Sequence, residues 1–158
     1  MSEQEHKVDR KGWPSGPWDD EPDKLSWTTE AGLPGLIVRN GSGALCGYVG
    51  VTAEHPAYRK DCDSVGRDIN VHGGLTYANK CGGAICHVPE PGKSDDVWWF
   101  GFDCAHSGDL VPAFERRGYG SYGALYCAVP YVRREVESLA RQMISFGKPT
   151  DIDSADDT

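Results

Sequence analysis

No window of the chain approaches the roughly 18 consecutive apolar residues of a membrane-spanning helix. The most apolar run, Val97-Trp98-Trp99-Phe100-Gly101-Phe102, is far shorter and ends in charge. A basic stripe is also missing. Arg116-Arg117 and Arg133-Arg134 are the only Arg doublets, and they read as solvated surface. Both absences argue against a membrane or a nucleic-acid backbone as partner. The opening Met-Ser-Glu-Gln-Glu-His-Lys has no apolar signal core, so the expected location is cytoplasmic. Gly118-Tyr119-Gly120 lacks the strand–turn–helix context of a phosphate-cradling loop. There is no internal repeat and no paired Cys-x-x-Cys.

Six cysteines are present, at 46, 62, 81, 86, 104 and 127. In a reducing compartment they are expected to be free thiols, several buried as small hydrophobes. The spacing Cys81-x4-Cys86 with His87 beside it also suits half of a structural zinc site, a weaker expectation.

The 158 residues predict one domain with a core of its own. Twenty Gly and ten Pro point to turns and short strands rather than a helical bundle. The net charge of −8 sits mainly at the ends. Residues 1–24 hold seven acids against four bases, and 147–158 hold four acids against Lys148, which leaves 25–146 nearly neutral. The expected organisation is a flexible acidic arm over 1–24, which Trp13 and Trp18 either pin onto the domain or leave mobile, one α+β domain over 25–146 and a disordered acidic tail over 147–158.

Within the domain, Leu36 to Arg39 and Ala44 to Val51 read as a hairpin joined through Asn40-Gly41. Alternation places Leu45, Gly47, Val49 and Val51 on one face, and Cys46 and Tyr48 on the other. Residues 59–68 read as a surface loop, Ile69 to Tyr77 as a strand broken at Gly73-Gly74, and Ala84 to Val88 as a short strand. Val97 to Asp103 is apolar on both faces and reads as an interior strand. Its alternation sets Val97, Trp99, Gly101 and Asp103 against Trp98, Phe100 and Phe102. Residues 107–130 read as a long connection. Val132, Val136, Leu139, Ala140 and Met143 then recur at helical spacing, with Pro130 at the start and Gly147 and Pro149 at the end. The fold class is therefore α+β, a mainly antiparallel twisted sheet packed by one C-terminal helix.

Chemistry concentrates where the aromatic run ends. Asp103, His106 and Asp109 follow at intervals of three. Carboxylate oxygen and neutral imidazole nitrogen suit zinc, manganese or iron. His72, ahead of a glycine pair that lets another group come close, is the fourth candidate ligand, and His55 a fifth. The metal set is therefore His72, Asp103, His106 and Asp109, with His72, His106 and Asp109 as catalytic candidates. Two readings compete with it. Without a metal, His72 or His106 oriented by an Asp acts as general acid or base. Without any function, Asp103 caps a turn, His106 bonds an interior carboxylate and Ser107-Gly108-Asp109 is ordinary turn chemistry. Cys104 beside His106 is a lesser nucleophile candidate, because alternation turns it away from Asp103. Trp98 and Trp99 read as core, and Tyr77, Tyr119 and Tyr122 as residues that could rim a pocket. Glu135 reads as a solvated helix charge.

His72-Gly73-Gly74-Leu75-Thr76-Tyr77, Gly101-Phe102-Asp103-Cys104-Ala105-His106-Ser107-Gly108-Asp109, Gly47-Tyr48-Val49-Gly50-Val51, His55-Pro56 and Tyr131-Val132 with Glu135 form a set. The set resembles a group of small hypothetical proteins of bacteriophages and bacteria, over roughly residues 24–145. The resemblance implies a self-contained domain, a phage or prophage setting and the host cytoplasm. It brings no activity with it. The function expected from the residues is a metal-assisted hydrolase of a small molecule. The alternative is a protein that binds or sequesters a small ligand or a host protein through the same pocket.

Overall fold

Residues 2–3, 6–87, 94–116 and 123–147 are described by a computed structural model. The expected C-terminal tail beyond Gly147, the end of the expected strand at Val88, and Tyr119 and Tyr122 lie outside these residues. Six strands form one antiparallel sheet: β1 (Ser2–Glu3), β2 (Lys24–Thr28), β3 (Pro34–Arg39), β4 (Leu45–Val51), β5 (Tyr77–Lys80) and β6 (Trp98–Asp103). Their order is β1-β2-β3-β4-β6-β5. Helices α1 (Cys62–Gly66) and α2 (Pro112–Arg116) are single turns, and α3 (Val129–Ser145) is the long C-terminal helix. The α+β class with a packed C-terminal helix is the architecture observed.

The β3–β4 hairpin turns at Asn40, whose side-chain oxygen accepts from the Ser42 and Ala44 amides. Alternation along β4 and β6 sorts the core into two faces. Leu45, Val49, Val51, Phe100 and Phe102 face α3, which adds Val132, Val136, Leu139, Ala140 and Met143. Full burial of each larger aliphatic contributes about 1.5–3 kcal/mol. Cys46, Tyr48, Val97 and Trp99 form the opposite face with Leu36 and Val38. The expected interior strand is β6, paired to β4 on one side and β5 on the other.

Several elements differ from expectation. Ile69 to Thr76 is not a strand, and only Tyr77 of the expected one joins the sheet, as the start of β5. Gly74 N bonds Val71 O at 2.9 Å, and Gly73 and Gly74 have φ of +69° and +81°, which makes this stretch a turn. Residues expected as loop contain α1, nucleated by Asp61, whose carboxylate accepts from Ser64 N. Of the expected strand from Ala84, only the Gly82–Ile85 bridge forms among the described residues. That bridge folds the chain back and brings the Cα atoms of Cys81 and Cys86 to 4.7 Å. The separation suits a disulfide, and the two are bonded, not free or half of a zinc site. Cys46, Cys62, Cys104 and Cys127 are free.

Residues 6–23, expected as part of a flexible arm, lie against the sheet. Trp18 is buried, and its ring meets Tyr126 edge-on at 5.1 Å. Val8 N and the Arg10 guanidinium both bond the Asp23 carboxylate. Asp23 in turn binds the buried Arg39 at 2.8 Å. Arg39 also donates to Tyr126 Oη at 2.7 Å, and Tyr126 donates to Glu21. The second Glu21 oxygen accepts from Val129 N, the first amide of α3. One acidic segment therefore neutralises a buried cation and caps the main helix.

Candidate metal and acid–base site

The site forms where the glycine turn, the end of β6 and the entry to α3 meet. Gly73 is required there by close approach. A Cβ on it would stand 2.3 Å from Cε1 of His106. The turn presents His72 to α3, which holds it at two points one helical turn apart. Glu135 Oε1 accepts from His72 N at 2.8 Å, and Tyr131 Oη lies 2.8 Å from His72 Nδ1. Glu135 is thus engaged in the site and is not a free surface charge. Burial, and next the Glu135 charge, push the Tyr131 phenol above its ordinary pKa.

The far nitrogen of His72 faces a carboxylate. Nε2 is 2.9 Å from both Oδ1 and Oδ2 of Asp109. Asp109 is held by the turn it closes: its amide donates to His106 O, and its Oδ2 accepts from His106 N, both at 2.9 Å. Bonds Leu110 N to Leu125 O and Leu125 N to Gly108 O then lay the 125–127 segment beside Asp109. This pairing delivers Cys127. Its Sγ is 3.7 Å from His72 Nε2 and 3.7 Å from Asp109 Oδ1. Cys104 sits behind it in the core. A hydrogen bond with Cys127 and burial hold the Cys104 thiol far above its ordinary pKa, which leaves it a poor nucleophile.

His106 is 35 % exposed at its side chain, with Nδ1 3.5 Å from Asp103 Oδ1 and 3.7 Å from Asp109 Oδ2. That nitrogen has no hydrogen-bond partner among the described residues. Donor atoms of His72, His106 and Asp109 all lie within 4.8 Å of one another, as do those of His72, Cys104 and Cys127. Asp103, the remaining expected ligand, is in neither group. Its carboxylate accepts from Ala105 N at 3.1 Å and Thr76 Oγ1 at 3.0 Å. It caps the strand end, as an Asx turn does. His55 is occupied elsewhere, with Nε2 2.7 Å from Met143 O at the far end of α3. Trp99 and Tyr77 belong to the opposite sheet face.

A cavity of about 490 Å³ opens beside the cluster, lined by His72, Asp109, Cys127 and Tyr131 together with Leu125 and Tyr126. Leu125 is 76 % exposed there, an apolar side chain at the rim of a polar site. Two residues escaped the sequence reading. Tyr131 lay within a recognised motif without a role, and Cys127 carried no local signal, since 55 residues separate it from His72. Among the described residues, no helix is long and apolar enough to cross a membrane. The chain matches no family model, no curated protein and no solved structure.

Proposed function

We propose that the protein is a small-molecule enzyme, a metal-assisted hydrolase, in which His72 Nε2 and the Asp109 carboxylate anchor a divalent ion. One observation carries this reading. Nitrogen and oxygen donors on separate chain segments stand 2.9 Å apart on the wall of a cavity, with further donors within 4.8 Å. An ion there lowers the pKa of a bound water and polarises the substrate. The side chains supply the rest. Tyr131 meets the His72 ring at Nδ1, the outer-shell support that metal-binding imidazoles need, and Glu135 holds the His72 backbone amide. His106, whose Nδ1 adjoins Asp103 and Asp109, is the candidate to take or return the proton. The cavity volume suits a small ligand, and Leu125 favours one with an apolar part.

The test is elemental analysis of purified protein, melting with and without chelator, and a panel of activated esters, amides and phosphoesters assayed with zinc and manganese. Stoichiometric metal, a chelator-dependent fall in Tm and turnover lost in Asp109→Asn are expected. Metal-free protein that neither binds added zinc nor responds to chelator would sink the proposal. Ligand-dependent stabilisation without turnover would favour a binding or sequestration role for the same cavity.

A further inference from the structure

We propose that Cys127 is the third protein ligand of this site, so that the ion is held by one nitrogen, one oxygen and one thiolate sulfur and is zinc. The inference rests on the metal reading above and goes beyond it in naming the donor set. Its ground is the triangle formed by His72 Nε2, Asp109 Oδ1 and Cys127 Sγ. The sides are 2.9, 3.7 and 3.7 Å. A triangle with those sides has its vertices about 2.0 Å from its circumcentre. An ion slightly out of that plane meets the zinc distances of about 2.0–2.2 Å to nitrogen and oxygen and about 2.3 Å to sulfur. The ion would replace the hydrogen bond between His72 Nε2 and Asp109, whose proton passes to buffer.

The alternatives fit less well. His106 approaches the same carboxylate at 3.7 Å through Nδ1, but it does not line the cavity. Cys104 is near enough to His72 and Cys127 to be counted with them, yet it does not line the cavity, whereas Cys127 does. With His72, Asp109 and Cys127 as ligands, a fourth position remains for water and faces the cavity, the arrangement that separates a catalytic zinc from a closed structural one. A thiolate donor also selects zinc over magnesium or manganese. On loading, the Cys127 S–H bond breaks, the sulfur lone pair becomes the ligand and the proton passes to buffer. His106 is left free for acid–base work.

Cobalt(II) is the probe, since a thiolate ligand gives it a charge-transfer absorption in the near ultraviolet. The full-length protein loaded with one equivalent is expected to show that band. Cys127→Ser should lose the band and bind cobalt at least about tenfold more weakly, a loss no smaller than that from supporting residues. Cys104→Ser should keep it. Stoichiometric cobalt without the band overturns the thiolate inference and leaves the metal reading standing. A band lost in Cys104→Ser but kept in Cys127→Ser also overturns it. Failure of the wild-type protein to bind any cobalt or zinc overturns both. If Cys127→Ser does not fold, a band that survives Cys46→Ser, Cys62→Ser and Cys104→Ser still assigns the sulfur to Cys127, the remaining free cysteine.

Discussion

His72 is the residue on which the site turns, and each of its neighbours makes a separable prediction. Tyr131 touches only the nitrogen that points away from Asp109. Tyr131→Phe keeps the ring packing and removes the bond. It should weaken zinc binding by about 10–100-fold while moving Tm little, measured by competition with a chelating dye. Gly73 fails differently. Alanine there must adopt φ near +69° and displace the His106 ring. Gly73→Ala should cost about 1–3 kcal/mol in urea unfolding, and it should disturb His106 before His72. A variant as stable as wild type would show that the turn relaxes freely. Cys46 is a buried thiol of the same kind as Cys104: burial, with Asp103 adding to it, pushes its pKa up to about 11. The sequence made part of this site readable. Asp103, His106 and Asp109 stood out because they crowd one strand end. Cys127 and Tyr131 did not, because they arrive only through the pairing of Leu125 with Asp109 and the docking of α3.

At the scale of elements, what decides the site is how closely α3 lies on the sheet. Gly47 in β4 has no Cβ where Val136 and Phe102 meet it; one built there would stand 2.7 Å from Val136 Cγ2 and 2.5 Å from Phe102 Cζ. Gly47→Ala should therefore lift the helix and cost about 1–3 kcal/mol by overpacking. Because Tyr131 and Glu135 ride on the same helix, metal affinity should fall with stability. If chemical denaturation shows the cost but zinc binding is unchanged, the helix has tilted about its N-terminal end instead of lifting. The stripe of α3 and the two faces of β4 and β6 were legible because burial imposes periods of 3.6 and 2 on long apolar runs. β2 and α1 were not. Lys24-Leu25-Ser26-Trp27-Thr28 does alternate, but its two apolar residues are too short a signal to mark a strand, and its polar positions Lys24 and Ser26 are buried too; α1 is a single capped turn. The glycine pair at 73–74 reads in the sequence as an interruption in a strand. Two consecutive positive φ values make it the turn itself.

For the whole molecule, the acidic N-terminal segment holds the architecture together through charge. Arg39 is 1 % exposed, and its guanidinium reaches Asp23, Glu21, Tyr126 and the Gly43 carbonyl. Composition alone marked residues 1–24 as solvated, since the partner that recruits them is a single Arg in a hairpin and not an apolar stripe. Removing the Asp23 carboxylate leaves the buried cation with Glu21 at 3.5 Å as its remaining counter-charge, and breaking a buried pair costs up to about 3–5 kcal/mol. Asp23→Asn should show a loss of that order in urea at pH 7. The effect should reach the cavity, because Tyr126 lines it and Glu21 caps α3. The pH dependence carries a definite sign. Burial alone would raise the Asp23 pKa, but hydrogen bonds from Val8, Arg10 and Arg39 outweigh it, and the folded value lies below the ordinary 3.8. A carboxyl depressed in the folded state stabilises at pH above its unfolded value, and the contribution disappears as pH falls through the folded value. Wild-type stability should therefore drop below about pH 4 along a limb that Asp23→Asn lacks, and the two curves should converge in strong acid. Parallel acid limbs would mean that Arg39 draws its compensation from Glu21 and Tyr126, and that the arm is held by its remaining contacts, the Trp18 ring against Tyr126 and His6 against Arg39 O among them.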